Sequence, residues 1–187
     1  MKESTLPRLI ALCGKPGSGK SLAADLLAEA HGYRIHDDGG PLRAIAMDYF
    51  GCSESDVFTQ AGKKREIRIN GRTITVRQLL GEIGEAFEEK FGANMVPQMS
   101  ANAQDPRQRY VIPSVRHDQG YFWKEMGALV VEIDRPGTPN SPFPFDRYSR
   151  GAVDVTVRNT PSPEETDRDR LDFLEELVRS IRNSGVA

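Results

Sequence analysis

One octapeptide constrains this chain more than any other feature. Gly14-Lys15-Pro16-Gly17-Ser18-Gly19-Lys20-Ser21 satisfies the pattern G-x-x-x-x-G-K-[ST]. It follows RLIALC (8–13), a short apolar run of the kind a strand buried on both faces carries. It opens a segment, Lys20 to His31, in which Leu22, Leu26, Leu27 and Ala30 recur at helical spacing before a stop at Gly32. In a strand, glycine-rich turn and helix taken in that order, backbone N–H groups can curl round an anion. The partial positive charge of the helix start adds to the attraction. The pattern thus predicts a phosphate loop for a nucleoside triphosphate, formed by Gly14, Lys15, Gly17, Ser18, Gly19, Lys20 and Ser21. Lys20 is expected at the β and γ phosphates. The Ser21 hydroxyl is expected to help hold Mg2+, which keeps most of its water. The bland alternative is a glycine-rich turn that binds nothing, and the strand before it and the helix after it argue against that.

The remaining pattern extends the same architecture. YRIHD (33–37) reads as a second strand, and a helix is expected from Leu42 to about Phe50. REIRINGRTITV alternates around Asn70-Gly71, a pair suited to a two-residue hairpin turn, so a β-hairpin is expected inside an inserted region, 53–76. Helices are expected over 76–91 and near 94–102. YVIPSV (110–115) and ALVVEI (128–133) read as buried strands flanking a helix over 119–126. Four prolines between 136 and 144 predict an irregular loop over 134–151, and Val153–Val157 is the last strand expected. Ser162-Pro163-Glu164-Glu165 carries the signature of a helix start, with Leu171, Leu174, Leu177, Val178 and Ile181 as its apolar face. Buried strands alternating with helices predict an α/β fold. It is a three-layer domain with a central parallel sheet, helices on both faces and a small inserted hairpin. The whole chain, 1–187, reads as a single domain, with 92–110 (Arg107 and Arg109 included) as a candidate lid.

Composition narrows the function classes. Net charge is −2, so no global basic field holds nucleic acid. Cys13 and Cys52 lack metal-ligand spacing, which fits a reducing compartment and a cytoplasmic location. The longest early apolar run, Leu9 to Cys13, is far too short for a membrane span, and MKESTLPR lacks a signal-peptide core.

A triphosphate loop does not say what becomes of the γ phosphate. At this length there is little room for a motor's coupling domains, and no N-K-x-D motif is present to read guanine. A small kinase is the economical reading, and it needs a second pocket with cations for an anionic acceptor. Arg116 is the best-placed candidate, since it ends the YVIPSV strand and ligands bind at the carboxyl ends of parallel strands. Arg43 and Arg77 are further candidates, with a solvated helix face as the alternative for each. The loop arginines Arg135, Arg147 and Arg150 read first as surface residues. Asp37 and Asp38 either orient Mg2+-bound water or the acceptor, or cap the next helix, and Asp118 is comparable. Trp123 reads as core.

GKPGSGKS, YRIHDDGGPLRAIAMDYFG, VRQLLGEIGEAF, YVIPSVRHDQGYFWKEMGALVVEIDRPG and DVTVRNTPSPEETDRDRLDFLEEL come in the order seen in one family. Over most of its length the chain resembles the phage-type deoxynucleoside monophosphate kinases. The strand-Arg-helix-Gly-strand-RPG block is the most specific part. The resemblance implies a P-loop nucleoside monophosphate kinase fold and phosphoryl transfer from ATP, with Mg2+, to a deoxynucleoside monophosphate. Lys20 and Arg116 would be catalytic. Arg43, Arg77 and Arg116 fall where the family places basic residues on the acceptor side, with Asp38 and Asp118, read from the strand ends, as acceptor-side candidates beside them, and Arg158, Asn159 and Thr160 would lie where a turn can contact the adenine. It implies small-molecule nucleotide partners, allows a homodimer, and places a phage-encoded protein in the host cytoplasm. The chain departs from the family at Ser114, where Asp is usual, and in FDRYSRGAVD, which lacks the usual His-x-x-Glu stretch. Two rivals remain: another small kinase, such as one acting on dephospho-coenzyme A, and a nucleotide-binding module that transfers nothing.

Overall fold

The computed structural model describes residues 6–162, 164 and 166–185. Its elements alternate as the hydrophobic pattern requires. They are β1 (Leu9–Cys13), α1 (Lys20–His31), β2 (Arg34–Ile35), α2 (Gly40–Phe50), α3 (Glu54–Phe58), β3 (Glu66–Ile69), β4 (Arg72–Thr75), α4 (Val76–Phe91), α5 (Met95–Asn102), β5 (Tyr110–Ile112), α6 (Gln119–Glu125), β6 (Ala128–Asp134), β7 (Val155–Arg158) and α7 (Asp167–Asn183). Among the described residues, no helix is long and apolar enough to cross a membrane.

The chain divides into two compact units, one built from the segments up to Asp37 and from Ala103 onward, the other from Asp38–Asn102. The first unit holds a five-stranded sheet in the order β2-β5-β1-β6-β7, with every pairing parallel. Successive residues of a strand point to opposite faces, so β1 feeds two layers. Ile10 and Leu12, with Val111, Leu129, Val131 and Ile133, pack against Ala23, Ala24, Leu26 and Leu27 of α1 and Phe173, Leu177, Val178 and Ile181 of α7. On the opposite face α6 is pressed close. A Cβ on its Gly120 would stand 3.7 Å from Val130. Trp123 is fully buried. This is the three-layer parallel α/β arrangement, with the glycine-rich octapeptide between β1 and α1.

The second unit has its own small core: Ala46, Cys52, Val57, Ile74, Val76 and Leu79. Its β3–β4 hairpin is antiparallel and pairs Ile69 with Arg72, so Asn70 and Gly71 form the turn, both at positive φ (48° and 82°). Capping boxes start α3 (Ser53 with Asp56) and α4 (Thr75 with Gln78).

Three local expectations need correction. The loop over 134–151 is not wholly irregular: it contains 3-10 turns at Pro144–Asp146 and Arg150–Ala152, and Tyr148 forms a parallel bridge to His117. Proline excludes long helices and central strands but tolerates a 3-10 turn at its first position. The last helix starts later than the Ser162 signature implies. Thr166 caps it and forms a capping box with Asp169, while Ser162 donates to the same Asp169 carboxylate. Pro163 and Glu165 of that signature lie outside the described residues. The buried face of the helix differs as well: Phe173 is buried, and Leu171 is 56% exposed.

Candidate functional site

The octapeptide wraps the carboxyl end of β1. Ser18 N–H donates to the Lys15 carbonyl at 3.1 Å, closing a turn, and Gly19 caps α1 in the left-handed conformation at φ 104°. Lys20 is the first residue of that helix, and its ammonium donates to the carbonyls of Gly14 (2.7 Å) and Lys15 (2.9 Å). The lysine therefore arches over the loop that precedes it. Lys15 leaves the loop and donates to the Thr138 carbonyl at 3.2 Å. Ser21 is exposed in the first helical turn. Its hydroxyl is a hard oxygen ligand of the kind Mg2+ accepts beside phosphate oxygens and water.

A buried layer supports the loop. Cys13, the last residue of β1, donates weakly to the Val131 carbonyl, and its pKa is pushed up to about 12 by burial and by the nearby Glu132 charge. Asn159, immediately after β7, donates from Nδ2 to the Ser18 carbonyl at 2.8 Å and is 2% exposed. Its side chain is thus built into the wall beneath the loop. A Cβ on Gly19 would stand 2.3 Å from that Nδ2, so only glycine fits there without displacing the amide.

Arg116 lies beyond the carboxyl end of β5, which pairs with β1, so it belongs to the same sheet edge as the phosphate loop. The YVIPSV strand ends early, at Ile112, and Pro113 precedes the chain's exit toward Arg116. Arg116 N–H donates to the Gln119 side chain at 3.1 Å, and the guanidinium lies 5.8 Å from the Phe145 ring centroid. His117 follows in the left-handed region at φ 44°. Its backbone is bonded on both sides to the 147–149 segment, with N–H to the Arg147 carbonyl (2.7 Å) and C=O from Ser149 N–H (2.8 Å). Asp118, exposed, sits at the start of α6 without a side-chain cap bond.

The anchor of that segment escaped the pattern reading. Glu132 of β6 is 4% exposed, in register with Cys13. It accepts hydrogen bonds from the Tyr148 hydroxyl, from Arg150 (3.0 Å) and from Thr156 (2.9 Å). Burial alone would raise its pKa, but the three donors outweigh it and hold the carboxyl below its ordinary value. Tyr148 moves up, through burial and its bond to Glu132. The signal was available: a single carboxylate in the apolar run ALVVEI must be paired if that strand is buried. Arg150 is accordingly one of its partners, reaching it from a side chain that stays 72% exposed at the surface.

The remaining candidates lie in the second unit or away from the loop. Arg43 is 8% exposed, not solvated: Nε donates to the Val57 carbonyl at 3.2 Å, and the guanidinium lies 4.9 Å from the Phe58 ring centroid. Arg77 donates to Gln60 at 2.8 Å. Asp38 is buried, and the residue capping α2 is Gly39, so neither Asp37 nor Asp38 occupies that cap. Within the 92–110 segment, Arg107 pairs with Asp105 at 3.0 Å. Arg109 donates to the Leu6 carbonyl and lies 5.0 Å from the Tyr33 ring centroid. Those partners stand at the amino ends of the strands, opposite the phosphate loop, so Arg109 does not close over it.

No family model matches the chain. It is 25% identical over 194 residues, spanning 94% of this chain and 97% of the other, to a protein of Acanthamoeba polyphaga mimivirus named "Putative deoxynucleotide monophosphate kinase". Among solved structures it is similar to shikimate kinase from Aquifex aeolicus vf5, with TM-score 0.46, 17% identity, and 96% of this chain and 99% of that chain covered. It is also similar to dephospho-CoA kinase from Campylobacter jejuni, with TM-score 0.43, 14% identity, and 92% and 98% covered.

Proposed function

We propose that this chain transfers the γ-phosphoryl group of ATP to a deoxynucleoside monophosphate, giving the diphosphate. The observation that carries the reaction class is the pairing, on one sheet edge, of the octapeptide crowned by Lys20 with Arg116 beyond the adjacent strand. Phosphoryl transfer asks a protein for positioning and charge neutralisation rather than for a strong base. In this reading the loop N–H groups and Lys20 hold the triphosphate, and Lys20 and Arg116 share the charge that develops on the transferred group. Ser21 would hold Mg2+, which neutralises phosphate charge when bound.

The acceptor class rests on the sequence resemblance and on the name of the mimivirus relative. Asp38, Arg43, Arg77 and Asp118 belong to the proposal on their places in the sequence, with the resemblance added for Arg43 and Arg77, and the chain is treated in it as one kinase domain with the 53–76 region inserted. The burial and bonding of Arg43 within its own unit make it an anchor there as well.

Incubation with Mg-ATP and each deoxynucleoside monophosphate in turn tests the reading, with diphosphate formation as the readout. Lys20→Ala is expected to abolish turnover and to leave the circular dichroism spectrum unchanged. Surviving turnover in that variant would overturn the phosphate-loop assignment. Transfer to a coenzyme precursor alone would replace the acceptor, and ATP binding without transfer to any acceptor would leave a binding module.

A further inference from the structure

The side chain of Asn159, in the turn after β7, reaches the phosphate loop with a hydrogen bond, and it does so from beneath. Its backbone N–H is fixed on the Asp134 carbonyl at 2.8 Å, which continues the β6–β7 pairing by one residue. Its Nδ2 then donates to the Ser18 carbonyl at 2.8 Å. In a trans peptide the C=O and N–H point in opposite directions. Holding the Ser18 carbonyl toward the buried carboxamide therefore holds the Gly19 N–H pointing away from it. Donation to that carbonyl also polarises the peptide and makes its N–H a stronger donor to an anion. The fit is closed sterically, since a Cβ on Gly19 would stand 2.3 Å from the same nitrogen. Gly19 directly precedes Lys20, so the orientation of this one peptide also sets the start of the helix that carries the lysine.

We propose that Asn159 is a positioning residue: its carboxamide orients the Ser18–Gly19 peptide for phosphate binding and ties the turn after β7 to the grip on the triphosphate. The proposal rests on the phosphate-loop reading above. It gives Asn159 a part in holding the phosphates rather than in contacting a base. Two probes separate these roles, Mg-ATP and Mg-tripolyphosphate, the second having the phosphates and no base. Titration calorimetry of the wild type, Asn159→Ala and Asn159→Asp reads both affinities, with circular dichroism to confirm folding. Asn159→Ala is expected to weaken both probes by the same factor, about tenfold for one lost hydrogen bond to an oriented peptide. Asn159→Asp has the same shape but turns an acceptor toward the Ser18 carbonyl. It is expected to weaken both at least as much, and it serves alone should the alanine variant fail to fold. A loss confined to ATP would make Asn159 a base contact and overturn the proposal. Unchanged affinities beside a lowered melting temperature would reduce the bond to fold support and overturn it equally. If the wild type binds neither probe, the phosphate-loop reading falls, and the positioning role falls with it.

Discussion

Gly19 and Gly17 both take positive φ, 104° and 83°, yet their surroundings differ. At Gly17 an added Cβ would meet nothing within 4 Å, so alanine there carries only the backbone strain of the left-handed region, about 1–2 kcal/mol. At Gly19 the same strain is joined by a collision with the Asn159 amide at 2.3 Å. Thermal melts of the unliganded protein should therefore rank Gly19→Ala well below Gly17→Ala. Adding Asn159→Ala to Gly19→Ala should recover part of the loss, because it removes the colliding group. The loop glycines were legible from spacing alone. Their different tolerances were not, since Asn159 lies 141 residues away from Ser18 in the chain. Arg43 shows the same limit. An arginine on a helix reads as solvated until the fold brings the Val57 carbonyl and the Phe58 ring to it.

At the scale of elements, periodicity placed α1 and α4 within their observed bounds, Lys20–His31 and Val76–Phe91. Both have clear punctuation: a glycine stop at Gly32, and a hairpin turn just upstream of Thr75. The start of α7 is ambiguous in sequence because two cap signatures stand four residues apart. Thr166 competes with Ser162, and both hydroxyls are drawn to Asp169. Proline content misled in the 134–151 loop, where backbone bonds to His117 impose order that composition cannot express. The cap on α4 gives a direct test. Thr75 accepts from the Gln78 N–H at 3.2 Å while Gln78 reaches back to the Thr75 N–H at 2.9 Å. Thr75→Ala removes one side of this box and should cost about 1 kcal/mol, seen as a lower urea midpoint with an unchanged slope.

For the molecule as a whole, the carboxylates decide the response to acid. Among the described residues, several carboxyls sit below their ordinary values: Asp56 through the Ser53 donors and Arg65, Asp105 through Arg107, Asp169 through Thr166 and Ser162, and Glu132 through the three donors that outweigh its burial. A folded-state value below the unfolded one stabilises above about pH 4 and is lost as pH falls through the folded value. Asp25 opposes them weakly, since burial and Glu29 raise it. His31 acts earlier. Burial, with Arg182 and Arg109 nearby, lowers its pKa, so the unfolded chain protonates first and stability declines as pH drops below about 6.5. Denaturation midpoints should be flat between about pH 7 and 8, fall slightly by pH 5.5 and fall steeply below pH 4; above about pH 8.5 they should fall again, because burial raises both thiols and the unfolded chain gives up those protons first. A midpoint that rises on acidification below neutrality would contradict this assignment.

The two thiols fall one to each compact unit, Cys13 at the root of the phosphate loop and Cys52 in the small second core. Both are buried and free, and burial raises the pKa of each, so neither offers a reactive thiolate near neutral pH while its surroundings are closed. The protein thereby carries two natural clocks. Alkylation resolved by peptide mass spectrometry times the opening of each unit separately. A triphosphate held by the loop should slow the clock at Cys13 and leave that at Cys52 running at its own rate.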